Sequence, residues 1–124
     1  LPMYYRGANV ILLVFDLNNP DSVKSIKNRW VPILNDCEND VQIYLVGNKC
    51  DLEQLVNEYQ LSEFNKLKYF KVSAKKGIGI NHLFDCIVNN VVSNNNFYNP
   101  KKSINISKQI EKKDREYCTY DRCC

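Results

Sequence analysis

The sequence predicts an α/β fold in which helices cover a parallel sheet. Three short apolar runs with strand character alternate with three amphipathic segments of helical period, and each apolar run ends in a polar loop. The 124 residues, 44% hydrophobic and 25% charged, have the composition of a single globular domain. No apolar run approaches the ~20 residues that a membrane-spanning helix requires.

The first strand is predicted over Val10–Leu17, a run of large and β-branched apolar residues. A helix is predicted to follow with Asn19 as its N-cap, because Pro20 suits the first helical position and Asp21 the first turn. Pro32 falls inside the helical pattern and is expected to bend or shorten this helix. Its apolar residues recur at helical spacing: Val23, Ile26, Trp30, Ile33 and Leu34.

The second half of the pattern repeats the alternation of strand and helix. A buried strand is predicted over Val41–Gly47, a weaker helix over Asn57–Leu67, and a short strand over Lys68–Val72. Asn81 is a candidate cap for the last helix. The predicted apolar stripe of that helix consists of Leu83, Phe84, Ile87, Val88 and Val91. Strands that alternate with helices predict right-handed crossovers between parallel strands.

The chain changes character near its end. Residues 1–92 are predicted to form the folded part, and 93–124 a flexible tail that is rich in Lys and Asn and has no apolar stripe. Up to residue 100 ten basic residues balance ten acidic ones, so the net charge of +3 lies wholly in the tail. A neutral body argues against a nucleic-acid-binding domain, whereas a basic tail suits an anionic membrane surface. The spacing of the six cysteines predicts neither a disulfide framework nor a zinc site.

Two polar clusters follow the second and third strands, at the edge where ligands of parallel sheets bind. They are Asn48, Lys49 and Asp51, and Ser73, Ala74 and Lys75. The Asp51 carboxylate could accept hydrogen bonds from N1–H and from the exocyclic amino group of guanine, a donor pair that adenine lacks. The stems of Lys49 and Lys75 could lie against the ring, the Ala74 N–H could donate to O6, and Asn48 could join the two loops. Asn and Asp are also common turn residues, which is the simpler interpretation.

The motif Asn48-Lys49-x-Asp51, with Ser73-Ala74-Lys75 after the next strand, resembles the guanine-specificity elements of Ras-like small GTPases. Further stretches resemble the Rab branch of that family: Met3-Tyr4-Tyr5-Arg6-Gly7-Ala8, Leu13-Val14-Phe15-Asp16, Trp30-Val31 and the terminal Cys123-Cys124. The terminal pair is similar to the doubly geranylgeranylated end of Rab proteins. The resemblance covers about residues 1–92 and the last two residues.

The resemblance implies a P-loop GTPase fold of Rossmann-like type, of which this chain would hold the last three strand–helix units and the tail. It implies GTP and GDP as ligands of the six residues in the two clusters, Mg²⁺ in the intact protein, and lipid on Cys123 and Cys124. The implied role is a molecular switch in vesicle trafficking at the cytoplasmic face of endomembranes, cycling with the cytosol. The implied partners are the Rab escort protein and GDI, an exchange factor, a GTPase-activating protein and effectors, with no nucleic acid.

The family's phosphate-binding motifs do not occur in this sequence. Neither G-x-x-x-x-G-K-S/T nor the D-x-x-G of the second switch is found, and in family order both would precede Leu1. The chain is therefore expected to be an inactive fragment with an open sheet edge and low stability, in which no residue is catalytic or binds metal. The alternatives are a truncated, non-catalytic, membrane-tethered binding module and an α/β fragment without activity.

Overall fold

The computed structural model describes residues 5–36 and 41–94, and three parallel strands form its sheet. The strands are β1 (Val10–Asp16), β2 (Gln42–Asn48) and β3 (Lys68–Lys71), in the order β1-β2-β3. Asp16 is in register with Asn48, so the carboxyl ends of β1 and β2 lie side by side. The prediction of an α/β fold with a parallel sheet is confirmed, and each strand lies within one residue of its predicted bounds.

The segment between β1 and β2 is helical but irregular. It consists of α1 (Pro20–Ser25), a π-helical turn (Ile26–Trp30) and α2 (Val31–Asn35). Asn19 caps α1 as predicted, because its side chain accepts a hydrogen bond from the Asp21 N–H. The π turn ends just before Pro32, which has no N–H to donate to the preceding turn. Pro32 was expected to bend or shorten the helix, and the structure shows a local change of helix type ahead of it.

The helix between β2 and β3 is much shorter than predicted. It comprises α3 (Glu58–Leu61) and a 3-10 turn (Ser62–Phe64). Asn57 forms a reciprocal capping box with Gln60, with both hydrogen bonds 3.0 Å long. The apolar spacing that predicted a longer helix serves a tighter turn, which brings Phe64 into the core and leaves Tyr59 exposed.

The last helix, α4 (Ile80–Ser93), begins two residues earlier than a cap at Asn81 predicts. Its N-cap is Gly79, so the prediction of Asn81 as the cap is wrong. Gly79 has a φ of +71°, and a Cβ at this position would lie 2.8 Å from the Lys71 carbonyl oxygen. Glycine is therefore required here both by its backbone conformation and by the close approach to β3.

Apolar side chains pack on both faces of the sheet. On one face Leu13, Phe15 and Leu45 meet the helices that join the strands. On the other face Leu83 and Ile87 of α4 pack against a cluster that contains Tyr44, Val46, Phe70 and Val72. Apolar side chains are thus buried on both faces of the sheet, as the continuous apolar runs predicted.

Part of the predicted stripe of α4 is not buried. Phe84 is 51% and Val88 56% exposed, so these two members of the apolar stripe are not covered by the described part of the chain. Val14 of β1 is also 54% exposed. Among residues 5–36 and 41–94, β1 pairs only with β2, and its other edge is open. The helical period identifies apolar positions but not the element that covers them.

Several sequence expectations concern cysteines, metals and membranes. Cys50 is buried and disulfide-bonded, so the expectation against disulfides is wrong for this residue. In the described ranges no group of His, Cys, Asp or Glu could hold a metal ion, and no helix could cross a membrane. Cys123, Cys124 and the basic tail lie outside the described residues, as does nearly all of the predicted segment 93–124.

Candidate functional site

The two polar clusters identified in the sequence lie next to each other at one edge of the sheet. The main chain joins them: Val72 N–H donates to the Gly47 carbonyl at 2.8 Å, and Cys50 N–H donates to the Val72 carbonyl at 3.0 Å. This arrangement follows from parallel pairing, since β2 and β3 end at the same edge.

Asn48 connects the two loops through its side chain. Its Oδ1 accepts the N–H of Ala74 at 3.0 Å and the N–H of Lys49 at 2.8 Å. The sequence expectation that Asn48 joins the loops is thus matched by the geometry. The same contact engages the Ala74 N–H, which could reach a ligand carbonyl only by sharing this bond or by releasing it.

Asp51 is oriented by the second cluster. The hydroxyl of Ser73, which is fully buried, donates to Asp51 Oδ1 at 2.7 Å and accepts the N–H of Lys76 at 3.2 Å. The Ser73 hydrogen bond holds the pKa of Asp51 below its ordinary value, and the charges of Lys76 and Lys75 act in the same direction. Asp51 is therefore a carboxylate at neutral pH, with one oxygen held in place and the group partly exposed to a ligand.

Lys49 has an unusual backbone and a fixed side chain. Its φ is +63°, the only left-handed value among the non-glycine residues that the structure describes. Its ammonium donates to Asp16 Oδ2 at 2.6 Å while its side chain stays half exposed. The ammonium holds the pKa of Asp16 below its ordinary value, chiefly through this hydrogen bond.

Asp16 belongs to a third loop at this edge, which sequence analysis did not assign to the site. Leu17 N–H donates to the Asn48 carbonyl at 3.0 Å, and Leu55 N–H donates to the Leu17 carbonyl at 2.8 Å. Asn18 Nδ2 donates to the Glu53 carbonyl at 2.8 Å. The loop after β1 therefore supports the segment that carries Lys49 and Asp51. In the sequence Asp16 lies within the predicted strand Val10–Leu17, and its place beside Asn48 follows only from the register of the strands.

The arrangement suits a planar heterocycle that has adjacent N–H donors. One carboxylate, one lysine stem and the loop around Ala74 converge at the edge of the sheet, within a frame of short hydrogen bonds. Lys75 is exposed and follows Ala74 directly. A carboxylate that accepts two parallel N–H bonds recognises such a ring with geometric selectivity.

Comparison with known proteins gives consistent results. The model of the Ras family matches residues 1–93. The chain is 30% identical over 94 residues to the Ras-related protein Rab-13 of Rattus norvegicus, covering 72% of this chain and 46% of the relative. It is 36% identical over 97 residues to RABA5b of Arabidopsis thaliana, covering 73% and 44%, and 34% identical over 90 residues to Rab-3 of Caenorhabditis elegans, covering 68% and 41%. The chain thus spans about half the length of the curated relatives it matches.

Proposed function

This chain belongs to the Ras family and is a Rab-type small GTPase, and we propose that it supplies the guanine-recognition half of a switch that binds GTP and GDP. The base is read by Asn48, Lys49, Asp51, Ser73, Ala74 and Lys75. The observation that carries the proposal is the Asp51 carboxylate, which is held by the buried Ser73 hydroxyl beside the loop of Ala74.

Guanine matches this carboxylate because it offers two donors on one edge. N1–H and the exocyclic amino group can both donate to Asp51, which is already charged and oriented. Adenine has no N1–H, so its N1 lone pair would face a carboxylate and leave that charge without a partner. An unmet charged group is costly, and this cost is the physical basis of selectivity for guanine.

Phosphate binding and hydrolysis need groups that this sequence does not contain. The G-x-x-x-x-G-K-S/T motif is absent, and no described cluster suits Mg²⁺. We therefore assign GTP hydrolysis, the metal and the phosphates to the intact protein. The greater length of the relatives supports this division. For the chain by itself we expect base-selective binding without hydrolysis.

The wider role follows from membership of the family. We propose that the intact protein is a switch in vesicle trafficking on the cytoplasmic face of endomembranes, and that it binds the escort protein, GDI, an exchange factor, a GTPase-activating protein and effectors. Geranylgeranyl groups on Cys123 and Cys124 would anchor it. Two lipid chains beside a basic segment give stable attachment, whereas one chain is marginal.

The test is whether a substitution at Asp51 changes the preferred base from guanine to xanthine. Binding of GMP, AMP and XMP to the chain is followed by NMR titration. The wild type should prefer GMP to AMP. The variant Asp51→Asn should prefer XMP to GMP by roughly 10- to 100-fold, because the amide donates to the C2 carbonyl that replaces the amino group of guanine. Asp85→Asn, a matched change at an exposed position on α4, should keep the wild-type preference. An Asp51→Asn protein that still prefers GMP would exclude this assignment.

A further inference from the structure

The geometry points to Asp16 as a positioning residue for the base site: by holding the ammonium of Lys49, it keeps Lys49 in the left-handed conformation that presents its stem and orients Asp51. The inference rests on the proposed function and adds a residue that the guanine motifs do not include. Asp16 lies on β1, one strand away from the loop it controls.

The first step is the conformation of Lys49. A residue with a Cβ is disfavoured at positive φ, so a local interaction must maintain it there. Three hydrogen bonds surround this residue. Its N–H donates to Asn48 Oδ1 at 2.8 Å, its carbonyl accepts the Leu52 N–H at 3.0 Å, and its ammonium donates to Asp16 at 2.6 Å. The contact with Asp16 is the one that involves a charged pair and another strand.

The second step is that Asp16 is itself fixed. Its Oδ1 accepts the Asn18 N–H at 2.8 Å, which leaves Oδ2 for Lys49. Its own N–H donates to Ser22 Oγ at 2.9 Å. The Asp16 side chain is 22% exposed, whereas the Lys49 side chain that reaches it is 51% exposed. A group held from both sides on a strand end is a rigid support for a binding residue.

The third step is the consequence for a ligand. With its ammonium held by Asp16, Lys49 offers its half-exposed stem as a flat apolar surface. If the ammonium were released, the side chain would sample many rotamers, and Lys49 could relax to a right-handed φ. Asp51 is two residues further along the same loop, so this relaxation would move its carboxylate away from Ser73. Asp16 would thus influence affinity without touching the base.

A double-mutant cycle separates this role from simple stabilisation. Asp16→Asn should weaken GMP binding about tenfold in the wild-type background. Lys49→Met keeps a long stem but removes the charge, and adding Asp16→Asn to it should cause no further loss. Asp21→Asn is the matched control, because Asp21 forms an exposed pair with Lys24 at 2.9 Å on α1. It should leave GMP affinity unchanged.

A second measurement does not depend on a ligand. A residue at positive φ gives a strong intraresidue NOE between its amide and Hα protons. This NOE should be strong for Lys49 in the wild type and weaken in Asp16→Asn, with Asp21→Asn again unchanged. A weak NOE for Lys49 in the wild type would overturn the inference without recourse to any variant.

The outcomes distinguish the two proposals. If the wild type shows no preference for GMP over AMP, the proposed function fails and this inference falls with it. If the wild type prefers GMP but Asp16→Asn binds it equally well, only the inference fails. If Asp16→Asn causes the same loss in the wild-type and Lys49→Met backgrounds, Asp16 acts on general stability, and its assignment as a positioning residue is wrong.

Discussion

Gly47 of β2 lies at the point where the core and the candidate site meet, and its replacement by alanine tests how tightly they are packed. A Cβ at this position would lie 2.9 Å from the Tyr69 hydroxyl oxygen, 3.0 Å from Leu17 Cγ and 3.0 Å from Phe15 Cζ. Leu17 and Phe15 are almost completely buried, and Tyr69 stacks on Phe15. None of the three neighbours is the end of a flexible surface side chain.

The magnitude follows from this crowding. Overpacking a core position by one methyl group costs about 1–3 kcal/mol when the neighbours cannot move. We expect Gly47→Ala to lower the free energy of unfolding by about this amount. Part of the cost comes from the hydroxyl of Tyr69, which is buried and has no hydrogen-bond partner among residues 5–36 and 41–94. In a Tyr69→Phe background the nearest contact disappears, so the same Gly47→Ala change should cost roughly half as much.

The assay is urea unfolding followed by circular dichroism for the four proteins of this cycle. Gly77→Ala is the control. Gly77 has a φ of +70°, and a Cβ added to it would meet no atom within 4 Å, so the cost of about 1 kcal/mol comes from the backbone alone. That cost should not change in the Tyr69→Phe background. The reasoning is refuted if Gly47→Ala is neutral, or if Tyr69→Phe leaves its penalty unchanged.

Two further predictions concern acid stability and the exposed apolar surface. The pKa values of Asp16 and Asp51 are lowered from 3.8 in the folded state, so their stabilising contribution is present above the unfolded pKa and is lost as the pH falls through the lower folded values. Replacing either residue with Asn should flatten the dependence of unfolding free energy on pH below about pH 4, as measured by urea unfolding at several pH values. Phe84→Ser and Val88→Ser should each change the free energy of unfolding by less than about 0.5 kcal/mol in urea unfolding, because both side chains are half exposed. Ile87→Ser, at a buried neighbouring position, should cost about 2–4 kcal/mol, and equal effects at exposed and buried positions would contradict this interpretation.

Sequence patterns predicted the elements whose signals are local. Each of the three strands is an apolar run between polar loops, and this local pattern suffices to locate them, although only β2 is buried along both faces. Asn19 and Pro20 mark the start of α1 through contacts within one turn. The start of α4 was missed because Gly79 is dictated by its close approach to the Lys71 carbonyl, a contact between distant parts of the chain. The exposure of Phe84 was missed because periodicity carries no information about the neighbouring element.

The candidate site also contains residues that the sequence predicted and residues that it did not. Asn48, Asp51, Ser73 and Ala74 could be brought together from sequence, because parallel strands place their carboxyl ends at one edge. Asp16 could not be assigned to the site without the register that sets it beside Asn48. The left-handed φ of Lys49 was also invisible, since lysine has no preference for that conformation. Residues that act through another residue are harder to identify from a sequence than residues that form a motif.

The hydrogen bonds that orient Asp51 and Lys49 determine base selectivity, which is a separate quantity from overall affinity. The groups that orient Asp51 and Lys49 are Ser73 and Asp16, and both belong to the described part of the chain. Selectivity is a difference between two binding free energies, so contributions that are equal for both ligands cancel. Phosphate contacts made elsewhere in an intact protein would strengthen guanine and adenine nucleotides alike. The ratio of GMP to AMP affinity measured on this chain should therefore equal the ratio for the corresponding triphosphates on the longer protein, even though the absolute affinities differ by orders of magnitude.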